Sequence, residues 1–99
     1  MSAFKKFDEG KPELYRLFQF PILDEACHAM TYGAKKYGDG NWMEGNSDAD
    51  IQRYYSAALR HLRAYGQGEV LDDESGIHHL GHAITNLLFI SILQEKTND

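Results

Sequence analysis

Ser75, His79, His82 and Asn86 follow one another at steps of four, three and four residues, the spacing that lines side chains along one face of a helix. From Ala83 to Leu93 the same segment is almost wholly apolar, so the polar stripe descends into a hydrophobic surface. Imidazole and amide groups buried there cost free energy unless they find partners. Two arrangements supply partners: a hydrogen-bonded core network, or a ligand site. Any one of these residues alone suits the first, and the aligned set points to the second. His79-x-x-His82 has the spacing to ligate a transition metal with further ligands from elsewhere, and Glu25 with His28 forms another i, i+3 pair. Imidazole can equally donate hydrogen bonds to phosphate oxygens. Mg²⁺ prefers oxygen, and the carboxylates to consider are Asp24, Glu25, Asp72, Asp73 and Glu74.

A second group is Lys35-Lys36-Tyr37-Gly38-Asp39-Gly40-Asn41-Trp42. Lysines at a helix end followed by glycines that bare the backbone can cradle phosphate, and Trp42 offers a face for a base. The plainer alternative is a helix C-terminus, a turn and a core tryptophan. The order of glycines and lysine is not that of a Walker loop. A third group, Arg53, Arg60 and Arg63, shares one side of a helix, with His61 nearer the apolar side. Cys27 falls on an apolar stripe and belongs to no recognisable nucleophile motif, so it is expected to pack and not to react.

These groups must be held by helices. Pro21 to about Tyr37 carries Leu23, Ala26, Cys27, Met30, Ala34 and Tyr37 in the rhythm of one buried face, with Pro21 tolerated in the first turn and Gly38 placed to end the helix. The glycines and asparagines from Gly38 to Asn46 argue against helix or strand in that loop. Ser47 is a good N-cap for a second helix to about Tyr65, burying Ile51, Tyr54 or Tyr55, Ala58, Leu62 and Tyr65. After Gly66-Gln67-Gly68, Asp72 or Asp73 caps a third helix from about Ser75 to Glu95. That helix is apolar nearly all round and needs covering on several sides. Residues 1–20 form an arm, whose Phe4, Phe7, Leu14, Leu17, Phe18 and Phe20 can lie on the body or on another subunit. The 99 residues are expected to make one domain, arm 1–20 and helical body 21–95: an all-α bundle of three main helices completed by homo-oligomerisation.

The formal charge of −5 argues against a long nucleic-acid partner, which needs clustered basic residues. No segment is long and apolar enough to span a bilayer. The N-terminus lacks a secretory pattern, and the single cysteine allows no internal disulfide; together these suggest the cytoplasm.

Gly10-Lys11-Pro12, Tyr32-Gly33-Ala34-Lys35-Lys36-Tyr37-Gly38, Asn41-Trp42, Arg60-His61-Leu62, Gly68-Glu69, Glu74-Ser75-Gly76, His79-Leu80, His82-Ala83 and Asn86 stand in an order and spacing that resembles the phage and prophage dATP/dGTP diphosphohydrolase domain family. The resemblance runs from about Lys11 to Leu93. It implies a fold similar to the all-α MazG-type nucleotide pyrophosphohydrolases, and hydrolysis of purine deoxynucleoside triphosphates to monophosphate and pyrophosphate with Mg²⁺ or Mn²⁺. On that basis Glu74 and His79 are the expected catalytic residues, and Glu25, Glu74 and His79 the expected metal ligands. Lys11, Lys35, Lys36, Asn41, Trp42, Arg60, His61, His82 and Asn86 are expected to bind the nucleotide. Compared with the MazG pattern, several carboxylates are replaced by histidine, around Asp24–His28 and His79–His82. The alternative is therefore a binding module without catalysis, a sponge that sequesters a signalling nucleotide.

Overall fold

The computed structural model describes residues 9–45 and 47–98, with the side chains of 97 and 98 left aside; Phe4, Phe7 and Asn46 lie outside the described residues. Among the described residues four α-helices follow in order: α1 (Tyr15–Phe18), α2 (Ile22–Tyr37), α3 (Asp48–Gly66) and α4 (His79–Asn98), with a 3-10 turn at Asn41–Glu44 between α2 and α3. Among the described residues there is no strand, only an isolated antiparallel bridge between Leu71 and His78.

The helix ends follow local chemistry. Asp24 and Glu25 lie in the first turn of α2 and Lys35 and Lys36 in its last, each sign facing the favourable end of the helix dipole. Gly38, at φ 105°, ends the helix and gives its N–H to Ala34 O. Ser47 caps α3, its Oγ accepting from Asp50 N–H at 3.3 Å. The loop after Gly38 holds more structure than its glycines suggest. Gly40 takes the left-handed conformation at φ 74°, which frees the next four residues to close a 3-10 turn.

The last helix begins four residues later than the apolar pattern suggests. Asp72 and Ile77 pair through Asp72 N–H to Ile77 O (2.9 Å), Gly76 N–H returns to Asp72 O (2.8 Å), and His79 N–H reaches Val70 O (2.9 Å). Gly76 sits at φ 73°, a conformation that excludes a continuous helix through it. Ser75 is therefore in a tight turn and not on the helical stripe. His78 caps α4: its Nδ1 accepts from Leu80 N–H at 3.0 Å.

α4 packs against both α2 and α3. Its crossing with α2 is close because Gly81 carries no side chain: a Cβ there would lie 2.7 Å from Glu25 Cβ and 2.8 Å from Glu25 carbonyl carbon. Beside it, the buried Thr85 hydroxyl donates to Ala26 O at 2.9 Å. Among the described residues the buried apolar ones are Ala26, Ala29, Ile51, Ala58, Ala83 and Leu93, four of them alanines, so the core is thin. Cys27, expected in it, is exposed, and Met30, Leu62 and Tyr65 are also largely open. Leu14, Leu17, Phe18 and Phe20 of the arm are exposed too and do not cover the body. The radius of gyration is 16.8 Å, against roughly 13 Å for a compact chain of this length.

Candidate functional site

The turn before α4 carries Asp72 to the side of the bundle where His61 of α3 and His79 and His82 of α4 meet. One donor atom each of His61, Asp72 and His79 lie within 4.8 Å of one another, an arrangement that could hold a metal ion. His61 Nδ1 and His79 Nδ1 are 2.8 Å apart, and the rings of His61 and His82 stack at 4.4 Å and 9°. Asp72 Oδ2 accepts from both the N–H and the hydroxyl of Ser75, each at 2.9 Å, and Ser75 Oγ lies 2.7 Å from His82 Nε2.

These contacts settle where the protons sit. Burial works to raise the Asp72 carboxyl, but the two hydrogen bonds from Ser75 outweigh it and leave the group below its usual range, so it is ionised. The Ser75 hydroxyl proton therefore points at Asp72, and His82 Nε2 carries the proton shared with Ser75 Oγ. Burial pushes His61 down to about 4, helped by the neighbouring His82 and His79, and burial also lowers His82. Both rings are neutral at pH 7, as metal ligation requires.

The cluster opens on a cleft of about 780 Å³, lined among others by His61, Asp72 and His82. Lys36, Asn41 and Trp42, Arg53 and Arg60 of α3, Glu74, and Asn86 of α4 also line it. Trp42 stacks on Phe89 with ring centroids 4.3 Å apart, so one indole face is taken by the core, which joins the two alternatives posed by the sequence. Lys96 ties this wall down by donating to the carbonyls of Met43 and Gly45. Lys36 Nζ bonds Glu74 Oε1 across 38 residues of chain. That contact, followed by the Tyr32 hydroxyl, holds the Glu74 carboxyl below its ordinary range.

Of the residues singled out from sequence, Lys36, Asn41, Trp42, Arg60, His61, Glu74, His82 and Asn86 line this one cleft. His79 lies behind them, buried. Lys11 and Lys35 are not among the lining residues. Glu25 is not one of the clustered ligands; its Oε2 accepts from His78 N–H at 3.0 Å, helping to start α4. Sequence reasoning held Asp72 as a possible cap and as one of five candidate carboxylates without choosing it, and gave no role to Glu69, whose Oε1 lies 3.2 Å from His79 Nε2. The available signal was Asp72-x-x-Ser75-Gly76, the pattern of a turn closed by a carboxylate, which fixes Asp72 in space.

Two imidazoles and one carboxylate suit a first-row dication of borderline softness. They do not suit Mg²⁺, which takes six oxygens in a near-ideal octahedron.

A thin all-α bundle with a metal-capable cluster beside a cleft lined by both basic and acidic side chains is the class of protein these features define. The chain belongs to the family described as dATP/dGTP diphosphohydrolase, N-terminal, whose profile it matches over residues 2–99. It is 35% identical over 85 residues to a protein of Salmonella phage PMBT28 named dATP/dGTP diphosphohydrolase, covering 86% of this chain and 28% of that relative. The chain thus spans less than a third of that relative's length. No solved structure matches it.

Proposed function

We propose that this chain binds a purine deoxynucleoside triphosphate in the cleft and hydrolyses it to the monophosphate and pyrophosphate with a divalent ion. The observation that carries this is that the metal-capable cluster and a cleft presenting Lys36, Arg53 and Arg60 among its carboxylates share His61 and Asp72. The name of the phage relative and the family description supply the substrate class. Lys36, Arg53 and Arg60 meet the triphosphate as charge-assisted donors, and the free side of Trp42, with Asn41 beside it, takes the base. An incoming phosphate competes with Glu74 for Lys36. Glu74, ionised and released, is then placed to accept the proton of the attacking water. Water attacks the α-phosphorus, the bond to the bridging oxygen breaks, and pyrophosphate leaves. A divalent ion at the cluster would supply positive charge to the phosphates and acidify the water.

The exposed apolar residues of α4 support a homo-oligomer as the assembly that completes the fold. No described helix is long and apolar enough to cross a membrane.

Incubating the protein with dATP and dGTP in the presence of divalent ions, and analysing the products, tests the proposal. Wild type should release pyrophosphate, and Glu74→Gln should slow release by about 10²–10⁴-fold while still binding nucleotide. Recovery of intact nucleotide from a tight complex with the wild type would overturn hydrolysis in favour of the sponge.

A further inference from the structure

We propose that Glu69 fixes the tautomer of His79, and that the His61–His79–Asp72 group thereby selects a nitrogen-preferring first-row transition ion over Mg²⁺. This deepens the reading of the cleft as a metal-dependent nucleotide site and rests on it for the metal's purpose.

His79 is 3% exposed. Its Nδ1 faces His61 Nδ1, while Nε2 is buried and makes no aligned hydrogen bond with any described residue; Glu69 Oε1 stands 3.2 Å from it. A neutral imidazole has one N–H proton to place. A carboxylate beside Nε2 draws the proton there, and the Nδ1 lone pair is left facing His61, within reach of Asp72. A carboxylate behind a ligating imidazole also orients the ring and raises its basicity toward a metal. Glu69 is held in place by the end of α3: Gly68 turns the chain at φ 99°, and Glu69 N–H bonds Ala64 O at 3.0 Å.

The other two ligands are equally prepared. Both Ser75 hydrogen bonds fall on Asp72 Oδ2, leaving Oδ1 without one among the described residues. His61 is held flat against His82, and its one N–H proton has only to pass from Nδ1 to Nε2, by exchange with solvent, for Nδ1 to ligate an ion. The donor set is then two nitrogens and one oxygen. Affinity for such a set rises along the first transition row, whereas Mg²⁺ gives up its waters reluctantly and finds one protein oxygen in three donors.

The test uses chelator-stripped protein titrated with Co²⁺ and followed by visible absorption, with Mn²⁺, Zn²⁺ and Mg²⁺ as competitors. One Co²⁺ per chain should give the d–d bands of a nitrogen-ligated ion; Zn²⁺ should erase them and millimolar Mg²⁺ should not. Glu69→Gln, at a half-exposed position, should lower Co²⁺ affinity about 10–100-fold and shift the bands, with the melting temperature of the metal-free protein unchanged. His61→Ala should abolish the bands. Mg²⁺ competing as well as Mn²⁺, a Co²⁺ spectrum of oxygen ligation only, or unchanged affinity in Glu69→Gln would each overturn the inference. If Glu69→Gln fails to fold, Glu69→Asp provides the comparison, and competition on the wild type still decides the class of ion. Failure of this inference is distinct from failure of the hydrolase reading. Selective Co²⁺ binding without nucleotide cleavage sinks only the latter, and Mg²⁺-supported cleavage that survives His61→Ala sinks only the former.

Discussion

The two Nδ1 atoms of His61 and His79 sit 2.8 Å apart, which leaves room for one proton between two nitrogens. Protonating both rings would set two positive charges against each other in a half-buried place, and burial already holds His61 down to about 4. In the unfolded chain a histidine titrates near 6.5. Between those values the unfolded state binds more protons than the folded one, so stability falls as pH drops from about 6.5 to about 4 and levels off above and below that window. His82, lowered by burial, acts in the same direction. Asp72 and Glu74, held below the usual carboxylate range, add a loss at still lower pH. Metal-free protein should therefore melt about 5 °C or more lower at pH 4.5 than at pH 7.5. Equal melting temperatures at the two values would mean the histidines titrate as in water.

At the scale of the elements, α4 carries the most weight, because it alone packs on both α2 and α3. Its closest approach is Gly81 against Glu25. Gly81→Ala should destabilise the fold by about 1–3 kcal/mol, since the added methyl meets backbone that cannot swing away. Gly33→Ala in α2 meets nothing within 4 Å and should stabilise by about 0.5–1 kcal/mol. Urea unfolding of the two variants checks both signs. The same elements show what was legible beforehand. The bodies of α2 and α3 follow from apolar periodicity, the Ser47 cap and Gly38. The start of α4 did not, because periodicity cannot register a turn closed by the Asp72 carboxylate and a left-handed Gly76. That turn supplies the third potential ligand. Asp72 could thus not be told apart from the neighbouring carboxylates, whereas His61, His79 and His82 stood out as polar groups on apolar helices. Lys36 and Glu74 were noticed separately, but their pairing across the cleft depends on tertiary packing.

For the molecule as a whole, the notable quantity is apolar surface left open. Leu87, Leu88 and Ile92 of α4 are 51%, 46% and 41% exposed, and Leu59 and Leu62 of α3 are open as well. An isolated chain with so few buried large side chains has little to offset its conformational entropy. A second copy laid along α4 is the covering the proposed oligomer supplies. Leu88→Glu should convert that oligomer to a smaller species in sedimentation or light scattering and lower its melting temperature. A wild type that already sediments as a monomer would overturn the assembly. The chain's one tryptophan is stacked on Phe89 in the cleft wall, pinned there by Lys96 from the far end of α4. Its emission therefore comes from a single environment, uncontaminated by another indole. The molecule carries its own optical probe in the lining of the cleft, and occupancy there can be followed without a label.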